Sequence, residues 1–304
     1  MIQIQTILCP VDLSDASRDA LDYAALLARW YSARLRVLFV APPLPPVAAA
    51  PFHDRTAAGQ LRRVLVDELD RFVASVRASG LHVDVTLGDG PIVQRILAEA
   101  DSMAADLIVM GTHGRGGFEH FIIGSVTEKV LRKATCPVLT VPPGVHAASG
   151  SVPRFTTILA AVDFSHASEP ALHLALSLAQ EADSKLTLFH VIEWPDLGDL
   201  LGVREELARA QRERMDQASA RLRALVPDAA RDWCHPEPLV VVGKPGREII
   251  RAATETGADL IVMGTHSRDA VSRVFFGSTA NSVVRSAPCA VLTVPPGGRP
   301  IPGA

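Results

Sequence analysis

The feature that most constrains the fold of this chain is an internal sequence repeat. Three stretches recur in the same order, offset by 151 residues at the first and 153 at the others: ILCPVDLSDAS (7–17) with ILAAVDFSHAS (158–168), DLIVMGTHGR (106–115) with DLIVMGTHSR (259–268), and CPVLTVPPG (136–144) with CAVLTVPPG (289–297). Matching segments in one order indicate a tandem repeat of a single domain. We predict domains at residues 1–146 and 154–297, joined within the Pro-, Gly-, Ser- and Ala-rich segment 142–153.

The size and charge of the chain agree with two ordinary folded domains. Its 304 residues suit two domains of about 150 residues each. Residues 1–150 carry 14 basic and 15 acidic side chains, and residues 151–304 carry 16 and 18. Neither half has the excess of positive charge that binding to a phosphate backbone requires. We therefore do not expect a nucleic-acid partner.

The sequence offers no sign of export or of membrane insertion. The start, MIQIQTILCPVD, lacks a basic segment followed by a long apolar run, and no stretch approaches 18 consecutive apolar residues. The four cysteines form no CxxC pair, and Cys136 and Cys289 occupy matching places in apolar strands. These features predict a cytoplasmic protein with reduced thiols, in which Cys136 and Cys289 pack in the core.

Within each copy, short apolar runs rich in β-branched residues alternate with longer segments of helical period. In the first copy the predicted strands are Gln3–Cys9, Arg34–Val40, His82–Leu87, Asp106–Met110 and Val138–Val141, and the predicted helices are 15–32, 57–79, 91–103 and 125–134. Runs such as LIVM are apolar throughout, which is typical of parallel strands covered on both faces. We predict an α/β fold with two tandem, open, mostly parallel five-stranded sheets flanked by helices.

The ends of three strands should meet at one edge of each sheet, where ligands of open α/β sheets bind. They carry Asp12, Val40 and Met110-Gly111 in the first copy, and Asp163, Val191 and Met263-Gly264 in the second. A carboxylate can accept hydrogen bonds from a ribose or a base, and glycines let backbone N–H groups approach a phosphate closely. Gly124-Ser125 would add the N-terminus of a helix and a hydroxyl. The combination favours a nucleotide over a simple anion.

Several familiar sites are absent from the sequence, and one alternative role remains open for the aspartates. There is no Walker A loop, no G-x-G-x-x-G fingerprint and no G-x-S-x-G elbow. Outside the GTH turns, the histidines show no metal-ligand spacing, so the expected metal is none, apart from Mg²⁺ carried in with ATP. Because an Asp-x-Ser pattern starts at each of them, Asp12 and Asp163 could instead be helix N-caps.

Taken together, these motifs resemble those of the universal stress protein family. The spacing Gly111-x2-Gly114-x9-Gly124-Ser125 resembles the family's nucleotide-binding signature G-2x-G-9x-G-[ST], and Pro10-Val11-Asp12 and the closing VLTVP segments fit as well. The resemblance covers nearly the whole chain, as a tandem two-domain member of the ATP-binding type with a Rossmann-like fold. It implies ATP as the ligand, a role in stress survival and a homodimer. It also implies intrachain pairing of the two domains through the last strand of each.

The resemblance also implies which residues contact the nucleotide. Asp12 and Val40 would face ribose and adenine. The remaining contacts of the first copy would come from Pro10, Val11, Met110, Gly111, His113, Gly114, Arg115, Gly124, Ser125 and Val126. The second copy would use Ala161, Val162, Asp163, Val191, Met263, Gly264, His266, Ser267, Arg268, Gly277, Ser278 and Thr279.

The second copy departs from the signature at one position, where Ser267 replaces the glycine that corresponds to Gly114. If that position needs a positive φ, serine would cost about 1 kcal/mol or somewhat more, which would weaken binding roughly tenfold. We therefore expect ATP in the first domain and weaker occupancy in the second. The charged helix 204–223 is interpreted as a solvated face or a partner surface.

Three functions remain distinct at this point. The first is a nucleotide-responsive regulator, the second is a slow ATPase or phosphotransferase, and the third is a scaffold that needs no nucleotide. The loops offer donors for binding but no clear general base for water, which favours the regulator over the enzyme. An electron-transfer flavoprotein is a more distant alternative.

Overall fold

The computed structural model describes residues 2–41, 54–114, 123–146, 155–194, 204–231, 234, 236–265, 276–299, 301 and 303. The chain divides into two compact units. One spans Gln3–Pro153, and the other spans Arg154–Ala304 together with Met1–Ile2. They are called the first and second halves below.

The first half alternates strands and helices. Its elements are β1 (Thr6–Val11), α1 (Asp15–Tyr31), β2 (Arg34–Ala41), α2 (Asp54–Ala78), β3 (Val83–Asp89), α3 (Ile92–Ser102), β4 (Leu107–Gly111), α4 (Ser125–Lys133) and β5 (Val138–Val141). The second half repeats this order with one added short helix. Its elements are β6 (Thr157–Ala161), α5 (Glu169–Ala182), β7 (Lys185–Ile192), α6 (Arg204–Ala224), α7 (Asp228–Arg231), β8 (Glu237–Val242), α8 (Pro245–Thr256), β9 (Leu260–Gly264), α9 (Ser278–Ser286) and β10 (Ala290–Val294).

Each half contains a parallel sheet of five strands, as the sequence predicts. The strand order is β3-β2-β1-β4-β5 in the first half and β8-β7-β6-β9-β10 in the second. Every strand pairing within a half is parallel. The chain therefore moves outward from β1 through β2 to β3 and then returns to the other side of β1. The reversal between β1 and β4, and between β6 and β9, is the point at which open α/β sheets form a ligand crevice.

Central strands are buried because helices cover both faces of each sheet. All residues of β1, β4 and β5 are buried. Right-handed crossovers place α1 and α2 on one face and α3 and α4 on the other, and the structure packs α1 against α2 and α3 against α4. This packing explains the apolar character of the strands along their whole length.

The sequence of α1 explains both its buried face and the position of its start. Ala20, Ala24 and Leu27 recur at spacings of three and four and are buried, and Ser14 caps the start by accepting a hydrogen bond from the Ser17 N–H at 3.3 Å. The corresponding helix α5 begins later, at Glu169, with Pro170 in its first turn. Proline is well placed in a first turn because it has no N–H to donate.

The predicted elements agree with the structure, and the largest difference concerns β1. The prediction Gln3–Cys9 was wrong at both ends, since the strand runs from Thr6 to Val11 and includes Pro10. Proline interrupts most strand patterns because it cannot donate a hydrogen bond, so the apolar run appears to stop at Cys9. The prediction that Cys136 and Cys289 pack in the core is confirmed, since both are buried, but each precedes its strand rather than lying in it. Burial raises the pKa of the Cys289 thiol to about 12. Among the described residues, no helix is long and apolar enough to cross a bilayer.

Candidate functional site

A cavity of about 600 Å³ opens at the carboxyl edge of the first sheet, at the reversal between β1 and β4. All the predicted site residues of the first copy line it except Arg115, which lies outside the described residues. The strand ends contribute Pro10, Val11, Val40, Met110 and Gly111. The loops and the start of α4 contribute Asp12, His113, Gly114, Gly124, Ser125 and Val126. The structure therefore brings together residues that are more than 100 positions apart in sequence.

Asp12 is held in place by the segment that follows it. Its Oδ1 accepts a hydrogen bond from the Ser14 N–H at 3.1 Å and another from the Ser14 hydroxyl at 2.5 Å. The alternative that Asp12 is the N-cap of α1 is wrong, because Ser14 is the cap. Between them, Leu13 adopts φ +66°, a left-handed conformation that is uncommon for residues other than glycine. Strained backbone of this kind concentrates at functional sites.

The backbone at Gly114 has no positive φ, but it approaches the Asp12 side chain closely. A Cβ at this position would lie 2.6 Å from Asp12 Oδ2, closer than real contacts allow, and Gly114 is not among the glycines with positive φ. The conformational reason offered for the glycine-to-serine difference is therefore wrong for Gly114. A side chain here would instead force the Asp12 carboxylate to move.

The other two signature glycines serve the backbone in different ways. A Cβ on Gly111 would lie 2.9 Å from the carbonyl oxygen of Ala16, so this glycine lets the end of β4 approach the start of α1. Gly124 is the N-cap of α4, its N–H donates to the Thr112 carbonyl at 2.8 Å, and it offers no side chain to the helix end. Helix N-termini leave N–H groups without intrahelical acceptors and carry partial positive charge. The start of α4 therefore presents donors suited to an anion.

The turn at His113 is fixed by two threonines. Thr112 is buried, its N–H donates to the Val141 carbonyl at 3.1 Å, and its hydroxyl lies 2.9 Å from His113 Nδ1. The Thr127 hydroxyl donates to the Gly111 carbonyl at 2.9 Å, which ties α4 to the end of β4. These bonds position the loop backbone and the helix start relative to each other.

The cavity also has lining residues that the sequence interpretation missed. They are Ser17, Leu38, Ile92, Ile96, Ile123, Thr127 and Glu128. Ile92 and Ile96 lie one turn apart on α3 and form an apolar wall together with the predicted Val40 and Met110. Their spacing of four could have suggested a shared face, but nothing in it distinguishes a cavity wall from the sheet-facing core.

The second half forms a corresponding cavity of about 730 Å³. Of the predicted residues, Ala161, Val162, Asp163, Val191, Met263, Gly264, Gly277, Ser278 and Thr279 line it. The prediction also named His266, Ser267 and Arg268, which lie outside the described residues.

The second cavity repeats the geometry of the first at the loop after β6 and at the start of α9. Asp163 Oδ1 accepts from the Ser165 N–H at 2.9 Å and from the Ser165 hydroxyl at 2.5 Å, and Phe164 adopts φ +60°. Gly277 is the N-cap of α9, again without a side-chain hydrogen bond. A Cβ on Gly264 would lie 2.7 Å from the Ala167 carbonyl oxygen. The aspartate clamp and the helix start are thus present in both halves.

The two cavities differ in the wall beside the aspartate. In the second half, helix α6 contributes Arg214, Gln217, Ala218 and Arg221 to the lining, whereas no described residue of α2 lines the first cavity. The interpretation of helix 204–223 as only a solvated or partner face is therefore wrong for these four residues. Among the described lining residues, the first cavity has no arginine or lysine, and the second has two arginines.

No metal site is evident in the parts of the chain that the structure describes, where no three His, Cys, Asp or Glu side chains are arranged to hold an ion. Three features of the first cavity have the chemistry that a nucleotide would need. An uncapped helix start, an oriented carboxylate and an apolar wall face one cavity. The helix start suits a phosphate, the carboxylate suits the hydroxyl or amine donors of a sugar or base, and the apolar wall suits the face of a base ring.

Fold and site together define a tandem α/β protein with a ligand crevice in each half. The universal stress protein family matches residues 3–142 and 154–295, and the chain belongs to that family. Universal stress protein Rv1996 of Mycobacterium tuberculosis is 26% identical over 309 residues, covering 94% of both chains. A universal stress protein from Archaeoglobus fulgidus, solved by crystallography, matches 97% of both chains with a TM-score of 0.67 and 26% identity.

Another curated relative matches over a shorter stretch. Universal stress protein Rv2005c of Mycobacterium tuberculosis is 28% identical over 199 residues, which is 63% of this chain and 62% of that protein. The match thus spans less than two thirds of that relative's length.

Proposed function

We propose that the first half binds ATP and that the chain acts as a nucleotide-responsive regulator or scaffold in stress survival. The observation that carries this proposal is the meeting, in one cavity, of the clamped Asp12 carboxylate with the uncapped start of α4. Helix starts bind phosphates, and a fixed carboxylate binds hydroxyl or amine donors of a nucleoside.

In this arrangement each part of ATP has a matching surface. The phosphates would lie against the backbone N–H groups at Ser125 and Val126 and against the Ser125 hydroxyl. The nucleoside would lie beside Asp12, with its base against the apolar wall that includes Val40 and Ile96. The described lining offers no cation for the phosphates, so the backbone and hydroxyl donors would carry that contact. Mg²⁺ would arrive with ATP and keep water and phosphate ligands.

Binding rather than turnover is the function that this lining favours. Besides Asp12, the carboxylate that lines the first cavity is Glu128, and it is paired with Arg132 at 2.6 Å. Asp12 Oδ1 already accepts two hydrogen bonds. A carboxylate acts as a general base only where it is free to accept a proton from water, and both of these carboxylates already hold other partners.

The experiment that tests the proposal is a calorimetric titration of the purified chain with ATP, with and without Mg²⁺. We expect saturable binding. An absence of heat and of saturation up to millimolar ATP would overturn the proposal. Size-exclusion measurements with and without ATP then test the regulatory part, since a nucleotide-responsive homodimer should change its assembly with occupancy.

A further inference from the structure

The wall of the second cavity beside Asp163 contains a stack of three side chains. The Phe164 and His190 rings lie with their centroids 4.4 Å apart, and the Arg221 guanidinium lies 4.2 Å from the centre of the Phe164 ring. His190 is fixed by a contact of 2.7 Å between its Nδ1 and the Val162 carbonyl oxygen. Because Phe164 directly follows Asp163, the stack holds a guanidinium next to the aspartate loop.

Helix α6 presents a second arginine to the same cavity. Arg214, Gln217 and Arg221 are separated by three and four residues, so they share one face of the helix. The Arg214 guanidinium lies 5.3 Å from the centre of the Trp194 ring. Among the described residues, no carboxylate lies within ion-pair distance of either guanidinium. Both therefore keep planar N–H donors for a ligand.

Among the described residues, no arginine or lysine lines the first cavity. Arg18 of α1 also stacks on an aromatic ring, since it donates to the Phe72 carbonyl at 2.9 Å and lies 3.9 Å from the centre of the Phe72 ring. Arg18 does not line the cavity, where Leu38 and Val40 form the corresponding end of β2. Among the described lining residues, a ligand in the first cavity thus meets Asp12, Glu128 and an apolar wall without a guanidinium group, and one in the second meets Asp163, Glu193 and two guanidinium groups.

This difference matters for the identity of a purine base. Guanine presents two acceptors, O6 and N7, on one edge, which a guanidinium binds in a bidentate manner. It presents N1–H and N2–H donors on the next edge, which a carboxylate accepts. Adenine has an amine donor where guanine has O6, so it would place a donor against the arginines.

We propose that the second cavity selects guanine nucleotides. Arg221 and Arg214 donate to O6 and N7, Asp163 Oδ2 accepts from the N1–H and N2–H edge, and the α9 start at Gly277 and Ser278 takes the phosphates. The Asp163 Oδ1 atom is already occupied by Ser165, which leaves Oδ2 for the base. This inference rests on the nucleotide-binding function proposed above, and it assigns different bases to the two halves.

The test uses the full chain with the first cavity blocked by Gly124→Asp, titrated calorimetrically with GTP, ATP, 7-deaza-GTP and ITP. We expect GTP to bind about tenfold more tightly than ATP, the low end of a bidentate guanine contact. 7-deaza-GTP lacks the N7 acceptor and should lose most of the preference. ITP lacks the N2 amine but keeps O6 and N7, so its affinity should lie between those of GTP and ATP.

Variants of α6 distinguish recognition of the guanine base from general electrostatic attraction of a nucleotide to positive charge. Arg221→Ala, and independently Arg214→Ala, should lower GTP affinity about tenfold and move the GTP-to-ATP ratio towards one. Arg212→Ala removes a cation from the same helix outside the cavity lining and serves as the matched control, with a ratio within about twofold of the parent.

Each contrary result overturns the inference. ATP binding as tightly as GTP, an equal loss for both nucleotides in Arg221→Ala, or no nucleotide binding in the Gly124→Asp chain would each do so. Failure of the proposed function itself is distinguishable, because it would show as absence of ATP binding by the unmodified chain.

Discussion

The two halves share a backbone arrangement and differ in the side chains that face the ligand crevice. In both halves a serine two residues later holds the aspartate, and the residue between them has a positive φ. In both, a helix begins at a glycine N-cap that makes no side-chain hydrogen bond. The wall beside the aspartate is apolar in the first half and carries two arginines in the second. The comparison shows that the repeated backbone places an aspartate and a helix start at each cavity, while α6 adds two arginines to the second cavity and no described residue of α2 lines the first.

The largest expected effect comes from placing an acid at the helix start. Gly124→Asp should weaken ATP binding by about a hundredfold, because the new carboxylate would cap α4 and repel a phosphate. Aspartate is a favoured N-cap, so the chain should stay folded. The matched variant Gly277→Asp should leave the ATP affinity of the first cavity unchanged. Titration calorimetry of both variants checks this, and equal losses would show that the halves are not separate sites.

A second difference between the halves is an ion-pair network centred on one buried carboxylate, whose two arginine partners are partly exposed. Glu99 is 5% exposed and pairs with Arg36 at 2.9 Å and with Arg95 at 2.6 Å, whereas the matching position in the second half is Ala252. Glu99→Gln should cost about 2 kcal/mol, since it leaves two arginines without their shared partner.

The control for the network is an exposed pair in the second half. Glu255→Gln removes one of the two carboxylates paired with Arg251, the one at 3.5 Å, and should change stability by less than about 0.5 kcal/mol. Denaturant unfolding measures both variants, and hydrogen exchange assigns the loss to a half. A Glu99 effect as small as the control would contradict the importance of the network.

An intermediate effect is expected at the signature glycine. Gly114→Ser should weaken ATP binding about tenfold, because its Cβ would displace the Asp12 carboxylate. The reciprocal change Ser267→Gly tests whether the same position limits the second half. If Gly114→Ser binds ATP as the parent does, the close approach is relieved by a small movement and has no functional cost.

The smallest expected effect is the difference in stability loss between alanine variants of Ser14 and Ser165, the two serines that hold the aspartates. Ser14→Ala should cost about 1 kcal/mol, because Ser14 also caps α1. Ser165→Ala should cost about half as much, since the N-cap of α5 is Ser168 rather than Ser165. Thermal unfolding of the two variants compares them directly. A larger loss for Ser165→Ala would show that the carboxylate contact outweighs the cap.

The fold and most of the first cavity follow from the sequence alone. The repeat, the apolar strands and the glycine-bearing turn after β4 were sufficient to predict the sheet and the strand ends that meet at the crevice. The contribution of α6 could not be predicted in the same way. That helix is rich in charge around its circumference, and only packing shows that Arg214 and Arg221 face the cavity.

The reason for Gly114 was also inaccessible from the sequence. Glycine suits both a positive φ and a close approach, and local sequence does not distinguish these causes. The partner that excludes a side chain there is Asp12, about 100 residues earlier in the chain. Asp12 and Ser14 raised the same difficulty, because either type of residue can cap a helix.

Mass analysis of the nucleotide released from purified protein, counted per chain, shows whether the two halves bind different nucleotides. We expect the unmodified chain to release an adenine nucleotide, which Gly124→Asp loses and Gly277→Asp keeps. Any guanine nucleotide should be kept in Gly124→Asp and lost in Gly277→Asp. Release of the same nucleotide from both variants in equal amounts, or of none from the unmodified chain after incubation with ATP, would contradict it.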